Sequence, residues 1–216
     1  MHEKGVAAHF KYIHVDLGQD KPAWFKAEVN PYGTVPCIYD GDRGVFESAV
    51  CMEYIDEKFP QPDGFQLYPG DAVTRAAVRA FVSTLDFKAI YGYIMEQDRS
   101  KDAAHATACD ALMASIETKF AAGSPSGPFF LGADLSAADI ALFPFIDRMA
   151  PGLRAYRGYD LWGGGAHPRL QAGWAAIQAR PAWLATHQPE DFYIAAYHGY
   201  ATGKPGTVPK RVKAAV

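Results

Sequence analysis

The sequence predicts two structural parts: a mixed α/β segment over residues 1–60 and an all-helical segment over residues 72–202. A linker at 61–71 joins them, and a basic tail at 203–216 follows. Two observations predict this division. The first sixty residues combine short strand-like runs with turn signals, whereas the later region carries apolar residues at helical spacing over long stretches. Two prolines and a glycine interrupt the chain within residues 61–69.

The composition excludes several classes of protein. Of the 216 residues, 49% are hydrophobic and 21% are charged, which is typical of a globular protein and not of a disordered chain. The formal net charge of −3 does not favour nucleic-acid binding. No apolar run approaches the ~20 residues of a membrane span, and the N-terminus lacks a signal-peptide pattern. Three cysteines at no ligand spacing predict no metal, no disulfide framework and a cytoplasmic or other reducing compartment.

The first part is predicted to contain three strands and two helices. Apolar and polar residues alternate from Phe10 to Leu17, which is the period of a strand. A proline at the first position favours a short helix at Pro22–Glu28. The other predicted elements are a helix end at Glu3-Lys4-Gly5, hairpin strands at Val35–Tyr39 and Gly44–Phe46 around Asp40-Gly41-Asp42-Arg43, and a helix from Glu47-Ser48 to before Pro60.

The second part is predicted to be built around one buried helix. Ser136 and Asp139 have the spacing of a capping box, and Leu135 and Ile140 can form the hydrophobic staple beside it. The helix that follows, to Met149, is so apolar that it must be central. The other helices are predicted over Ala72–Glu96, Lys101–Ala122, Pro168–Ala179 and Glu190–Tyr197.

Two short segments of the first part carry binding chemistry. Pro36 begins a strand and cannot donate an amide, while Val35 before it must be extended. A cis bond would turn the Val35 main chain outward to pair with another extended peptide, although trans is the commoner isomer. Glu47 and Ser48 open a helix, where the dipole favours a carboxylate. They fit an α-amino acid ligand, or they are simply a helix cap.

Three segments together resemble a known family. Lys21-Pro22-Ala23-Trp24-Phe25, Asn30-Pro31-Tyr32-Gly33-Thr34-Val35-Pro36 and Phe46-Glu47-Ser48-Ala49-Val50-Cys51-Met52-Glu53-Tyr54-Ile55-Asp56 resemble successive motifs of cytosolic glutathione transferases. The likeness is closest to the omega and lambda classes and the related dehydroascorbate reductases. The segment Leu135-Ser136-Ala137-Ala138-Asp139 resembles the capping box of their helical domain.

The resemblance implies a thioredoxin-like first domain, an all-helical second domain and glutathione as co-substrate. It implies a cis bond at Pro36, with Val35 pairing main chain to main chain with the cysteinyl part of glutathione. It also implies that Glu47 and Ser48 hold the γ-glutamyl end and that Lys21 lies near the glycyl carboxylate. Relative to the family, the sequence lacks the first strand and the start of the first helix. That segment would hold the catalytic thiol or hydroxyl, so no catalytic residue is identified and the enzyme assignment stays open.

Two functions are consistent with this pattern. The first is an omega- or lambda-type glutathione transferase acting on a hydrophobic electrophile or a disulfide. The second is a catalytically silent subunit of a larger assembly, and a homodimer is also open. Phe87 and Tyr91 are candidates for the acceptor pocket, although an aromatic stripe that also includes Phe81 and Tyr93 is more often core. The basic tail is either a solvated terminus or a docking arm for an acidic surface.

Overall fold

A computed structural model describes residues 1–15, 21–61 and 64–204 of the chain. The chain divides into two compact units, Met1–Arg75 and Ala76–Val216. The first combines a hairpin with helices, and the second is built from helices packed on one another. The part of the predicted tail from residue 205 onward lies outside the described residues.

The first residues form a hydrogen-bonded turn closed by a glycine, where the sequence predicts the last turn of a helix. The Val6 N–H donates to the Met1 carbonyl at 3.1 Å, and the Gly5 N–H donates to the His2 carbonyl at 2.9 Å. Gly5 adopts a φ of 65°. This pair of bonds around a left-handed glycine is the Schellman motif, which satisfies carbonyls that a terminating helix leaves without partners.

The strand predicted over Phe10–Leu17 is wrong for its described part. Residues 10–15 have no regular structure, and residues 16 and 17 lie outside the described residues. Tyr12 and Ile13 are 63% and 66% exposed. The physical reason is that the alternation of apolar and polar residues specifies only which side chains share a face. It supplies no neighbouring strand for the backbone hydrogen bonds of this segment.

The hairpin and the helix after it are confirmed. Strands β1 (Cys37–Asp40) and β2 (Arg43–Phe46) pair antiparallel, with Cys37 opposite Phe46 and a two-residue turn at the other end. Helix α1 (Ser48–Lys58) follows directly. The short helix before the hairpin, Phe25–Val29, packs so closely on β2 that a Cβ at Gly44 would lie 1.9 Å from the Val29 carbonyl oxygen. Only glycine allows this approach.

A buried ion pair connects three segments of the first unit. The Lys4 ammonium is buried and donates to the Asp56 carboxylate at 2.7 Å and to the Phe65 carbonyl at 3.1 Å. The same carboxylate accepts the amides of Leu67 and Tyr68 at 2.9 and 3.2 Å. Both of these side chains are buried, so this part of the predicted linker lies against the unit, as its apolar residues indicate.

The helices after α1 mostly follow the predicted order. Their bounds are α2 (Ala72–Ser83), α3 (Lys88–Met95), α4 (Asp102–Gly123), α5 (Ala137–Arg157), α6 (Pro168–Gln178), α7 (Pro181–Thr186), α8 (Glu190–Ala196) and α9 (His198–Thr202). Helix α5 is central as predicted, because five of its large side chains are fully buried: Leu142, Phe143, Ile146, Met149 and Leu153. Helices α7 and α9 were not predicted.

The single helix predicted over Ala72–Glu96 is wrong, because it is two helices, α2 and α3. At the break, the hydroxyls of Ser83 and Thr84 donate to the carbonyls of Ala80 and Phe81 at 2.8 and 2.9 Å. These side chains compete with the helical backbone for its acceptors. The Asp86 carboxylate then accepts the Lys88 amide at 3.0 Å, which starts α3.

The capping box at the start of α5 is confirmed, and its acidic member is fully buried. The Asp139 carboxylate accepts the Ser136 amide at 2.9 Å, the Ser136 hydroxyl at 3.0 Å and the Phe130 amide at 2.9 Å. Burial raises the pKa of this carboxyl to about 6, although each of the three donors lowers it. The cap therefore joins the loop before α5 to the helix.

Two further side chains occupy helix ends in the second unit. The Glu117 carboxylate, on α4, accepts the amides of Arg169 and Leu170 at 2.8 and 2.9 Å and so caps the start of α6. The Arg157 guanidinium, at the end of α5, donates to the Tyr93 carbonyl at 3.0 Å and to the Ala201 carbonyl at 2.8 Å. It also donates to the carbonyls of Tyr156, Ile94 and Glu96. Sequence analysis missed both roles.

Candidate functional site

The loop before β1 is held in shape by one buried side chain. Asn30 is fully buried, and its side-chain amide donates to the Thr34 carbonyl at 2.9 Å and to the Thr34 hydroxyl at 3.0 Å. Its side-chain oxygen accepts the Tyr32 amide at 3.0 Å. Asn30 thus fixes the turn that leads into Val35. Sequence analysis included it in a motif but gave it no role, although an asparagine in a turn commonly bonds to nearby backbone.

The Val35–Pro36 bond is cis, as the resemblance implies. The Val35 side chain is 40% exposed. Among the described residues, neither the amide nor the carbonyl of Val35 has a hydrogen-bond partner. Val35 therefore has a backbone donor and a backbone acceptor that a bound peptide can use.

The hairpin register brings the second predicted segment to the same place. Because Cys37 pairs with Phe46, the residues beyond this pair, Pro36 and Glu47, leave the hairpin at the same end. The Tyr32 ring contacts the Phe46 ring, with centroids 5.4 Å apart, and so holds the turn against this end of β2. We call this place, with Lys21, Val35, Pro36, Glu47 and Ser48, the hairpin-end site.

The start of α1 lies at the same end of the hairpin, and its first amides have no hydrogen-bond partner among the described residues. Glu47 holds the N-cap position, yet its side chain makes no capping hydrogen bond. Its backbone has a φ of 69° and a ψ of 123°, outside the left-handed minimum, which costs on the order of 1–3 kcal/mol in a residue other than glycine. The side chains of Glu47 and Ser48 are exposed. A simple capping role therefore does not account for them, and the first amides of α1 can receive an anion.

Lysine side chains lie over the same turn. A Cβ built at Gly33 would lie 3.0 Å from Lys26 Cε and 3.8 Å from Lys21 Cδ. Gly33 also has a φ of 66°, which favours glycine. Lys21 is thus next to the turn that leads into Val35, and its place near the glycyl carboxylate of glutathione stays a prediction. Lys26 is a second cation that sequence analysis did not single out. The site combines two cations, one carboxylate and a helix N-terminus.

The three cysteines are not activated thiols. Burial raises the pKa of Cys37, on β1, and raises those of Cys51 and Cys109 to about 11. Cys51 and Cys109 are buried. Since the thiolate is the nucleophile, these groups are protonated and weakly reactive near neutral pH.

The predicted acceptor candidates lie in an aromatic cluster of the second unit. Phe87 stacks on Phe145, with ring centroids 3.6 Å apart, and Tyr91 meets the same ring edge-on at 5.6 Å. Both candidates are half-buried. Phe81 and Tyr93, in contrast, are buried core residues. The aromatic stripe therefore divides into core members and partly exposed ones.

The described residues contain neither a metal-binding cluster nor a membrane-spanning helix. No cluster of histidine, cysteine, aspartate or glutamate is arranged to hold a metal ion within residues 1–15, 21–61 and 64–204. Over the same residues, none of the helices combines the length and the apolar character needed to cross a membrane.

The comparisons with known proteins agree with the geometry. Residues 1–58 match the family model described as glutathione S-transferase, N-terminal domain, and residues 78–186 match that of the C-terminal domain. Protein IN2-1 homolog B of Oryza sativa subsp. indica is 31% identical over 195 residues, which cover 88% of this chain and 74% of that protein. Glutathione S-transferase L1 of Arabidopsis thaliana is 30% identical over 194 residues, covering 88% and 76%.

A solved structure supports the same relationship. Glutathione transferase Omega 3C from Trametes versicolor is similar with a TM-score of 0.70 and 27% identity, over 93% of this chain and 82% of that one. The two family models account for both structural units, with a thioredoxin-like domain before an all-helical one. This chain belongs to the glutathione S-transferase family.

Proposed function

We propose that this chain binds glutathione at the hairpin-end site and uses it for thiol transfer or conjugation of the omega or lambda type. The observation that supports this most is that the Val35 main chain and the start of α1 lie at the same end of the hairpin. Glutathione is a short peptide with a cysteinyl amide and carbonyl, an α-amino group and two carboxylates. Each of these groups has a complementary group at the site.

The assignment of groups follows from their chemistry. The Val35 amide and carbonyl pair with the cysteinyl main chain, as in strand addition. The α-carboxylate of the γ-glutamyl end accepts from the Ser48 hydroxyl and from the first amides of α1, while its amino group pairs with Glu47. Lys21 attracts the glycyl carboxylate. The relatives named as glutathione S-transferases support the choice of ligand.

A second candidate function, binding without turnover as a subunit of a larger assembly, is favoured by one observation. All three cysteines have a raised pKa, so none of them supplies a thiolate near neutral pH. The two candidates differ in activity and not in binding. Glutathione-dependent reduction of a small disulfide, or conjugation of a generic aromatic electrophile, favours the first; glutathione binding without either reaction favours the second.

Calorimetric titration with glutathione tests the site itself. Ser48→Ala removes one donor to the γ-glutamyl carboxylate and should weaken binding by about 1–3 kcal/mol, the usual contribution of a hydrogen bond to a charged group. The dipeptide cysteinylglycine lacks the γ-glutamyl group, so its affinity should not change in this variant. Ser115→Ala, an exposed serine on α4, is the matched control and should bind glutathione like the parent. Equal glutathione affinity in Ser48→Ala and the parent would contradict the proposal.

A further inference from the structure

Five rings of the second unit follow one another in a row, which we call the aromatic row: Trp162, Trp174, Trp183, His187 and Tyr193. The centroids of consecutive rings along it lie 5.6, 5.9, 4.0 and 6.1 Å apart. All five residues are partly exposed. The row contains three of the four tryptophans of the chain, and the fourth, Trp24, lies in the first unit. Oxidisable indole rings are therefore concentrated beside one another in the second unit.

The row ends at a phenol that is hydrogen-bonded to a mostly buried carboxylate. The Tyr193 hydroxyl donates to Asp147 Oδ2 at 3.1 Å, and His187 Nδ1 lies 3.3 Å from the same oxygen. The Asp147 side chain is only 10% exposed. Burial raises the pKa of this carboxyl, although the contacts with His187 and Tyr193 oppose the increase. The carboxylate is therefore a stronger base than an exposed one, and it lies within reach of the phenolic proton.

Indole and phenol are, after thiols, among the side chains that lose one electron most easily, and they differ in the fate of the proton. An oxidised indole is first a radical cation of moderate acidity, whereas an oxidised phenol is a very strong acid and loses its proton at once. A base that is already hydrogen-bonded to the phenol can accept that proton as the electron leaves. Tyr193, with Asp147 beside it, is therefore the end point that an oxidising equivalent in the row should reach.

We infer that the aromatic row transfers oxidising equivalents to Tyr193. A one-electron oxidant in solution, such as the azide or carbonate radical, takes an electron from an indole of the row and becomes an anion. Each oxidised indole then takes an electron from its neighbour, so the radical cation moves along the row to Trp183. The His187 ring, which contacts both Trp183 and Tyr193, bridges the last transfer.

The last transfer moves an electron and a proton to different acceptors. Tyr193 gives an electron to the Trp183 radical cation and its phenolic proton to Asp147 Oδ2. The products are a neutral Trp183, a neutral tyrosyl radical and a protonated carboxyl. A one-electron reductant in solution, such as ascorbate, then gives an electron to the tyrosyl radical, and the resulting phenolate takes back the proton of Asp147. This route does not require glutathione and is independent of the proposed function.

Pulse radiolysis of the full chain with azide radicals tests this inference, because these radicals oxidise indole faster than phenol. Trp24→Phe is present in every protein compared, so each oxidised indole belongs to the row. The absorption of the indole radical should decay while that of the tyrosyl radical grows, at a rate that does not depend on protein concentration. Tyr193→Phe should remove most of the tyrosyl signal and prolong that of the indole radical.

Tyr159→Phe is the matched control for the phenol. The Tyr159 hydroxyl also donates to a carboxylate, that of Asp110 at 2.6 Å, but among the described rings it pairs with Tyr93 and with no tryptophan. Its replacement should change neither the rate nor the yield of the tyrosyl radical.

Two further variants test the base and the row separately. Asp147→Asn cannot accept the phenolic proton, so the tyrosyl radical should form about a hundredfold more slowly, the lower end of what a positioned base contributes. Trp183→Phe keeps a ring in place but removes the indole that oxidises Tyr193. The tyrosyl yield should therefore fall in this variant while the indole radical persists on Trp162 and Trp174.

Three results would overturn the inference. One is growth of the tyrosyl signal that accelerates with protein concentration, since the transfer would then occur between molecules. Another is an equal loss of the tyrosyl signal in Tyr193→Phe and Tyr159→Phe. The third is a parent-like rate and yield of the tyrosyl radical in either Asp147→Asn or Trp183→Phe.

Discussion

Replacing Asp139 by asparagine tests how a buried acid is tolerated at the start of α5. Burial raises the pKa of this carboxyl from 3.8 to about 6, so the folded protein holds its proton more tightly than the unfolded chain does. Between these values, unfolding releases a proton and the free energy of unfolding falls as the pH rises. The stability that the protonated Asp139 carboxyl contributes is fully present below pH 3.8 and is lost as the pH passes through about 6.

The size of this loss in the free energy of unfolding follows from the pKa shift of Asp139. One pKa unit corresponds to 1.36 kcal/mol, so a shift of two units predicts a loss of about 3 kcal/mol between pH 4 and pH 7. The side-chain amide of the Asp139→Asn variant cannot ionise, and the other titrating groups are the same in both proteins. The difference in free energy of unfolding between this variant and the parent should therefore move by about 3 kcal/mol in favour of the variant over this range.

Urea unfolding of both proteins at pH 4, 5, 6 and 7 measures this difference directly. A difference that does not change with pH would refute the reasoning. A difference that moves in favour of the parent would show that the three donors, the amides of Phe130 and Ser136 and the Ser136 hydroxyl, hold the carboxylate in its ionised form.

Two further predictions concern helix ends. Arg157→Lys should lower the free energy of unfolding by about 2 kcal/mol, because an ammonium group cannot reach all the carbonyls that the planar guanidinium joins; urea unfolding with a parent-like midpoint would contradict this. Glu117→Ala should lower the stability by about 1–2 kcal/mol because the amides of Arg169 and Leu170 at the start of α6 lose their acceptor. Glu117→Gln retains an acceptor and should lose less stability than Glu117→Ala. Equal melting temperatures for the parent and the two variants would argue against the cap.

The features that the sequence predicted correctly rest on local signals. Ser136 and Asp139 are three residues apart, and this spacing alone specifies the capping box. The hairpin follows in the same way from its turn residues. The cis bond at Pro36 was different, because residue chemistry favoured trans and only the family motif indicated cis.

The features that the sequence did not predict depend either on partners that are distant along the chain or on weak local signals. Arg157 bonds to the Tyr93 carbonyl, 64 positions away, and nothing in the residues around it marks that partner. The break between α2 and α3 depends on the hydroxyls of Ser83 and Thr84, which are weak signals because such residues also occur within helices. The strand predicted from Phe10 had a clear pattern, but a pattern on one segment cannot supply the neighbour it pairs with.

The Asp56 carboxylate has a consequence for how the first unit opens. It holds the Lys4 side chain, 52 positions away, and the amides of Leu67 and Tyr68, 11 and 12 positions away. Opening any one of these contacts leaves a buried charge with fewer partners, so the three segments should open in a single concerted event. Amide hydrogen exchange at Leu67 and Tyr68 should then proceed at closely similar rates and should accelerate together when Lys4 is replaced by methionine.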